Sequence, residues 1–131
     1  MDALSVLLVE DSEDDRFLFQ HAFDRAQVNA KLFVANDGQE AVDYFQHQGR
    51  FADPRRYAAP DVVFLDLKMP GRNGFEVLQW MQERSLFHTV KVIVLSGSHE
   101  PRDIEECRKL GAHDYVVKPI DIEHLQRLLR A

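Results

Sequence analysis

Acids, a hydroxyl and an amine each directly follow a short apolar run in this chain. Glu10 and Asp11 follow the run at 6–9, Asp66 that at 62–65, Ser96 that at 92–95 and Lys118 that at 115–117. Brought onto one rim, these groups define a chemistry. Two bare carboxylates about 4 Å apart repel by roughly 4 kcal/mol at an effective dielectric of about 20. A hard divalent cation offsets that repulsion, and Mg²⁺ is commonly held by one or two carboxylates plus waters. A metal on an acidic rim suits a phosphoryl ligand, whose oxygens it can bridge. Lys118 would add a fixed positive charge on the other side of that ligand, and the Ser96 hydroxyl a neutral donor. Asp66 could then be the nucleophile, since carboxylates form aspartyl-phosphates.

The elements that must position these residues are legible as apolar patterning. Four runs rich in β-branched and aliphatic residues fit strands buried on both faces, as in a parallel sheet, and a weaker run at 31–35 starts polar and fits an edge. Helix-period segments alternate with them. Phe17, Leu18, Ala22 and Phe23 form one stripe, with Ser12 as N-cap and Asp15 three residues on, close to a capping box. Asp37 can cap a second helix carrying Ala41, Val42 and Phe45. Phe75, Leu78 and Met81 mark a third helix. Ile104, Cys107 and Leu110 mark a fourth that ends at Gly111, and Ile122, Leu125, Leu128 and Leu129 a fifth. Five β-α repeats with short links imply parallel strands, right-handed crossovers and helices on both faces. The fold class expected is α/β, a doubly wound, five-stranded parallel sheet with five helices; if the first and third strands are neighbours, as in the flavodoxin-like order 2-1-3-4-5, the three carboxylates converge. Ligands of such folds bind at the carboxyl ends of the strands.

Composition removes several classes of function. The chain has 131 residues, 45% hydrophobic and 29% charged, which fits one globular domain over 1–131. Sixteen basic against twenty-two acidic residues give a net charge of −6, a poor match to phosphate backbones, so no direct nucleic-acid contact is expected. No stretch approaches a membrane span or a signal peptide, and a cytoplasmic location follows as the expectation. The single cysteine, Cys107, reads as a packing thiol, and His21, His47, His88, His99, His113 and His124 show no metal-ligand spacing. Trp80 reads as a helix-packing aromatic. The irregular stretch at 48–60, with Arg50, Phe51, Arg55, Arg56 and Tyr57, is either a tolerated insertion or a partner contact.

Four motifs in order carry a family resemblance: Val9-Glu10-Asp11-Ser12, then Leu65-Asp66-Leu67-Lys68-Met69-Pro70-Gly71, then Leu95-Ser96-Gly97-Ser98, then Tyr115-Val116-Val117-Lys118-Pro119. Together they resemble the receiver domain of two-component response regulators, over the whole chain. The resemblance implies that Asp66 accepts a phosphoryl group from a histidine kinase, and that Glu10, Asp11, Asp66 and the Lys68 backbone carbonyl organise Mg²⁺. It further implies that Lys118 binds the phosphoryl oxygens and that Ser96 and Tyr115 form the switch pair. The Lys118–Pro119 bond resembles one often cis in the family. Gly97 is smaller than the alanine common there, which opens the site to water, and Lys68 and Ser98 stand where the family tunes phosphoryl lifetime. The long 48–60 stretch and the lack of an output domain resemble small stand-alone receivers paired with phytochrome-type bacterial kinases. A downstream protein partner and homodimer formation through the last two helices and fifth strand are further implications of the resemblance.

Taken singly, each residue has an ordinary reading. Glu10 to Asp15 would be an acidic first turn favoured by the helix dipole, Asp66 a strand-end cap, Ser96 a loop cap, Lys118 one half of an ion pair, Tyr115 a core residue. Their coincidence on one rim favours a joint site. Rival functions fit less well. A Mg²⁺-dependent aspartyl-phosphate phosphatase needs an acid two residues after the nucleophile, and Lys68 stands there. An FMN carrier needs a phosphate cradle after the first strand, where Glu10-Asp11 would repel phosphate. A receiver-like interaction module that works without phosphorylation keeps the fold but leaves Asp66, Ser96 and Lys118 without a task.

Overall fold

A computed structural model describes residues 3–69 and 71–130; Met1, Asp2, Pro70 of the third-strand motif and Ala131 lie outside the described residues. The apolar runs form β1 (Leu4–Val9), β2 (Ala30–Ala35), β3 (Val62–Leu65), β4 (Lys91–Ser96) and β5 (Asp114–Val117). All pair in parallel, in the order β2-β1-β3-β4-β5. Between and after them lie α1 (Glu13–Ala26), α2 (Gly38–Gln46), α3 (Gly74–Glu83), α4 (Pro101–Leu110) and α5 (Ile122–Leu129). The expected doubly wound α/β sheet of order 2-1-3-4-5 is therefore what the described residues form.

Strand side chains alternate between faces, and here both faces are covered. Leu7, Val9, Val63, Leu65, Val92 and Val94 pack with Ala41 and Val42 of α2, Leu78 and Met81 of α3 and Cys107 of α4. Val6, Leu8, Val62, Phe64, Ile93 and Leu95 pack with Phe19, Ala22, Phe23 and Ala26 of α1 and Leu125 and Leu129 of α5. Because every position over Val6–Val9, Val62–Leu65 and Val92–Leu95 is buried, these stretches of the inner strands are apolar without alternation. β2, an edge strand, is only half-buried along most of its length.

Helix starts follow local chemistry. The Ser12, Asp37 and Asp121 side chains accept the N–H groups of Asp15 (3.3 Å), Glu40 (2.8 Å) and His124 (2.7 Å). Asn73 and Glu76 form a full capping box at α3. α4 ends on Gly111, whose φ of 111° is left-handed and favours glycine.

Two expectations need correction. On α1 the buried stripe is Phe19, Ala22, Phe23 and Ala26, whereas Phe17 is 70% and Leu18 54% exposed. At about 100° per residue Phe17 points roughly 160° away from Phe19, so the two cannot share a core face. On α4 Cys107 is buried but Ile104 is exposed, because this helix touches the sheet along a narrow strip.

The 48–60 stretch is packed rather than irregular. It opens with a 3-10 turn (Gly49–Phe51), and Phe51 is fully buried. Phe51 lies 5.0 Å from Tyr44 and 5.1 Å from Tyr57 between ring centres, and the Tyr44 hydroxyl donates to the Ala58 carbonyl at 2.8 Å. Arg50 donates to Glu40 of α2 at 2.8 Å and to the Val34 carbonyl of β2 at 3.0 Å. This lobe is thereby fastened to α2 and to the edge strand. Among the described residues no helix is long and apolar enough to cross a membrane.

Candidate functional site

The residues at the strand ends are fixed by the sheet itself. Glu10 N–H donates to the Ala35 carbonyl (3.0 Å), Asp66 N–H to the Val9 carbonyl (3.0 Å) and Lys118 N–H to the Ser96 carbonyl (2.7 Å). Each ladder thus runs one residue beyond its strand, so the functional side chains leave a rigid edge at the carboxyl ends. Gly74 lets α3 begin hard against this edge: its N–H donates to the Leu67 carbonyl at 3.0 Å, and a Cβ there would lie 2.3 Å from the Asp66 carbonyl oxygen.

Three carboxylates meet as expected. One oxygen from each of Glu10, Asp11 and Asp66 lies within 4.8 Å of the others, and among the described residues this is the one group of three or more potential metal ligands. Glu10 and Asp66 are buried, and Asp11 is the least buried of the three. Glu10 Oε2 is buried with no hydrogen-bond partner among the described residues. An unpartnered buried carboxylate oxygen is costly, and a cation among these carboxylates would satisfy it. The donor set, all hard oxygen, fits Mg²⁺ or a similar divalent ion.

Lys118 stands beside this trio. Its Nζ donates to Glu10 Oε1, lies 2.8 Å from Asp15 Oδ2 and 3.4 Å from Asp66 Oδ2. Burial, then the neighbouring Asp66 carboxylate, push the Glu10 carboxyl up, to about 8, against the pull of Lys118. Burial opposes the charge on Lys118, but hydrogen bonds to Asp15 and Glu10 outweigh it and hold the ammonium above the ordinary lysine range. The Lys118 hydrogen bond also holds the Asp15 carboxyl below the usual carboxylate range. The Lys118–Pro119 peptide bond is cis.

Ser96 is fully buried, and its hydroxyl accepts the Ser98 N–H at 3.1 Å. The Tyr115 hydroxyl donates to the Ser98 carbonyl at 2.7 Å. Ser96 and Tyr115 therefore meet through Ser98 rather than directly. The Ser98 hydroxyl donates to Asp103 of α4 at 2.7 Å and accepts the Glu100 N–H at 3.2 Å. Gly97 is exposed, and a Cβ there would meet nothing within 4 Å, so this side of the site is open. Lys68 is exposed and its N–H points to Asp66 Oδ1 at a long 3.4 Å.

Sequence reasoning missed two participants. Asp15 was readable only as a helix-capping acid, although the acidic first turn of α1 starts on the same rim as Glu10. Ser98 was readable as a residue near the site but not as the joint between Ser96, Tyr115 and α4. Other candidates fall where expected. Cys107 is a buried thiol pushed up to about 12 by burial, Trp80 packs against Phe45 with the Arg84 guanidinium 4.3 Å over its ring, and His113 Nδ1 accepts the Val92 N–H at 2.9 Å.

A sheet of this order with an acidic trio and a lysine at its carboxyl edge defines a class, and residues 6–130 match the response regulator receiver domain family, to which the chain belongs. A similar relative is response regulator Rcp1 of Synechocystis sp., 29% identical over 95% of this chain and 83% of its own. Among solved structures, the bacteriophytochrome response regulator AtBRR is similar at 34% identity and a TM-score of 0.84, covering 97% of this chain and 90% of that one. The phosphorylated cyanobacterial phytochrome response regulator RcpA is similar at 29% identity and a TM-score of 0.80, covering 97% and 89%.

Proposed function

We propose that this receiver accepts a phosphoryl group on Asp66 from the phosphohistidine of a histidine kinase, and that the event changes its protein-binding surface through Ser96 and Tyr115. The observation that carries the reading is the shared ammonium: Lys118 Nζ sits against Glu10, Asp15 and Asp66, beside a carboxylate trio with an unpartnered buried oxygen. In the transfer, an Asp66 carboxylate oxygen forms a bond to phosphorus as the donor's P–N bond breaks. The electron pair of that bond stays on the imidazole nitrogen.

Glu10, Asp11 and Asp66, with the Lys68 backbone carbonyl, would hold Mg²⁺. The metal supplies charge neutralisation for the phosphoryl oxygens when bound. Lys118 neutralises charge on the opposite side, from a position already set by the Ser96 carbonyl. If the Ser96 side chain rotates to bring its hydroxyl to the phosphoryl group, the oxygen leaves the Ser98 N–H and that bond is lost. Ser98 also receives the Tyr115 hydroxyl at its carbonyl, and its own hydroxyl bonds Asp103 and the Glu100 N–H at the start of α4, so the change reaches the α4–β5 surface. Such a charge event biasing a packed two-state element is how phospho-switches work elsewhere.

The chain acts in this reading as one receiver domain over 1–131, in the cytoplasm, and as a signalling switch rather than an enzyme, assisting only its own phosphorylation and dephosphorylation. The named phytochrome response regulators among its relatives favour a phytochrome-type kinase as donor. A downstream protein, and a second copy of the chain, are the partners proposed for the switched surface; nucleic acid is not.

Incubation with acetyl phosphate, with and without Mg²⁺, read by intact mass beside an Asp66→Asn control, tests this. One added phosphoryl group requiring both Mg²⁺ and Asp66 supports it. No adduct at short times and low temperature, together with no beryllofluoride complex, would sink it in favour of a phosphorylation-independent module.

A further inference from the structure

We infer that Asp15 competes with the phosphoryl group for the Lys118 ammonium and so limits how tightly the site holds that group. This rests on the phosphoryl-acceptor reading above. A lysine ammonium has three N–H donors, and three carboxylates already surround this one: Glu10 Oε1, Asp15 Oδ2 at 2.8 Å and Asp66 Oδ2 at 3.4 Å. Two of the donors are hydrogen-bonded, to Glu10 and Asp15, and the third faces Asp66, so a phosphoryl oxygen on Asp66 shares the ammonium's charge with Asp15 and gains a second N–H only if one hydrogen-bonded partner gives way.

Burial decides which one yields. The Glu10 side chain is 2% exposed and that of Asp66 8%, whereas that of Asp15 is 39% exposed. Water can solvate a released Asp15 carboxylate but not a released Glu10. Glu10 and Asp66 also belong to the trio that would share a cation, while Asp15 stands outside it. With the cation bound, their charges are compensated and Asp15 remains as the uncompensated carboxylate on Lys118. The backbone holds it there, because Asp15 N–H is fixed to the Ser12 hydroxyl at the start of α1.

The test is the affinity for beryllofluoride, formed from beryllium chloride and fluoride in saturating Mg²⁺ and measured by calorimetry. Asp15→Asn removes the charge and keeps the shape. Removing one like charge at this range is worth roughly three- to tenfold in affinity, so Asp15→Asn should bind beryllofluoride tighter by about that factor. Asp15→Ser should tighten binding similarly, and Asp15→Glu should restore the wild-type value. Affinity for Mg²⁺ alone should stay within about twofold in all three, because Asp15 is not in the trio. Unchanged beryllofluoride affinity in both uncharged variants would reduce Asp15 to a helix cap, and weaker binding would mean that it presents Lys118 instead of competing for it; either overturns the inference. A loss of Mg²⁺ affinity would place Asp15 among the metal ligands and overturn it too. Failure of the wild-type protein to bind beryllofluoride would instead refute the phosphoryl-acceptor reading, and it would show before any variant is made.

Discussion

Asp11→Asn should stabilise the metal-free protein and make it insensitive to Mg²⁺, so that the ranking of the two proteins reverses when the metal is added. One oxygen of Asp11 lies within 4.8 Å of oxygens on both Glu10 and Asp66. At 4.8 Å a pair of unit charges repels by about 0.9 kcal/mol in a water-like dielectric and about 3.5 kcal/mol at an effective dielectric of about 20. Asp11 is the least buried of the trio, so each pair belongs near the lower figure. Burial and the neighbouring Asp66 carboxylate push the Glu10 carboxyl up, to about 8, and Lys118 pairs with it, so its share of the repulsion is weakened and Asp66 is the main repulsive partner. Together the pairs cost on the order of 1–2 kcal/mol. Against this, an acid beside the N-terminus of α1 gains about 0.3–1 kcal/mol from the helix dipole. The net expectation is a metal-free Asp11→Asn variant more stable by roughly 1 kcal/mol, or a few degrees in melting temperature. Mg²⁺ at ten times its dissociation constant stabilises the wild type by about 1.4 kcal/mol through linkage and leaves the variant nearly unmoved. Urea titrations in EDTA and in Mg²⁺ measure both quantities on the same samples. A variant less stable than wild type in EDTA, or an equal Mg²⁺ shift in both proteins, would refute the reasoning.

The lobe at 48–60 yields two further expectations. Phe51→Ala should cost about 3–5 kcal/mol, because a fully buried ring among Tyr44 and Tyr57 leaves a cavity; limited proteolysis should then cut first within 48–60, and a small loss with no new cleavage would mean that the lobe is not anchored by this ring. Tyr44→Phe should cost about 1 kcal/mol at neutral pH by losing the bond to the Ala58 carbonyl. Burial, then the neighbouring Tyr57, push the Tyr44 phenol from its ordinary 10.0 up to about 12. A folded-state value above the unfolded one gives stability that is complete below about 10 and lost as pH rises toward 12, so the gap between wild type and Tyr44→Phe should narrow over that interval in pH-dependent unfolding. A gap that widens there would contradict the sign.

The sheet was legible because burial on both faces leaves no polar position over the buried stretches of the inner strands: Val6 to Val9 and Val62 to Leu65 have nothing to alternate with. The site was legible for a related reason. In a parallel sheet every strand delivers its next residue to the same rim, so Glu10, Asp66, Ser96 and Lys118 could be found simply as the first polar residue past each apolar run. The face of α1 was not legible. Phe17-Leu18-Phe19 offers three adjacent apolar residues, and which one turns inward depends on where the helix sits on the sheet. The lobe was hidden differently: Phe33, Tyr44, Phe51 and Tyr57 are scattered through the chain and become neighbours only after β2 and α2 are placed.

Asp15 makes the limit of local reading concrete, because the same signal has a different outcome elsewhere in the chain. At α3 the N-cap Asn73 accepts the Glu76 N–H at 3.0 Å and Glu76 reaches back to the Asn73 N–H at 3.3 Å, closing the box. At α1 only the first half forms: Ser12 accepts the Asp15 N–H, and the Asp15 carboxylate goes to Lys118, which lies 103 positions away in sequence. Two physical differences account for this. Aspartate is one methylene shorter than glutamate and reaches the N-cap N–H poorly. A charge-assisted bond to an ammonium is also roughly twice as strong as one to a neutral backbone donor, and α1 starts on the rim where that ammonium is held. A closed capping box is therefore one outcome for an acid at this helix position, and at α1 a cation delivered by the sheet takes the acid instead. For that reason an acid in the first turn of α1 is a candidate participant in the site, whereas Glu76, with its box closed, remains a cap.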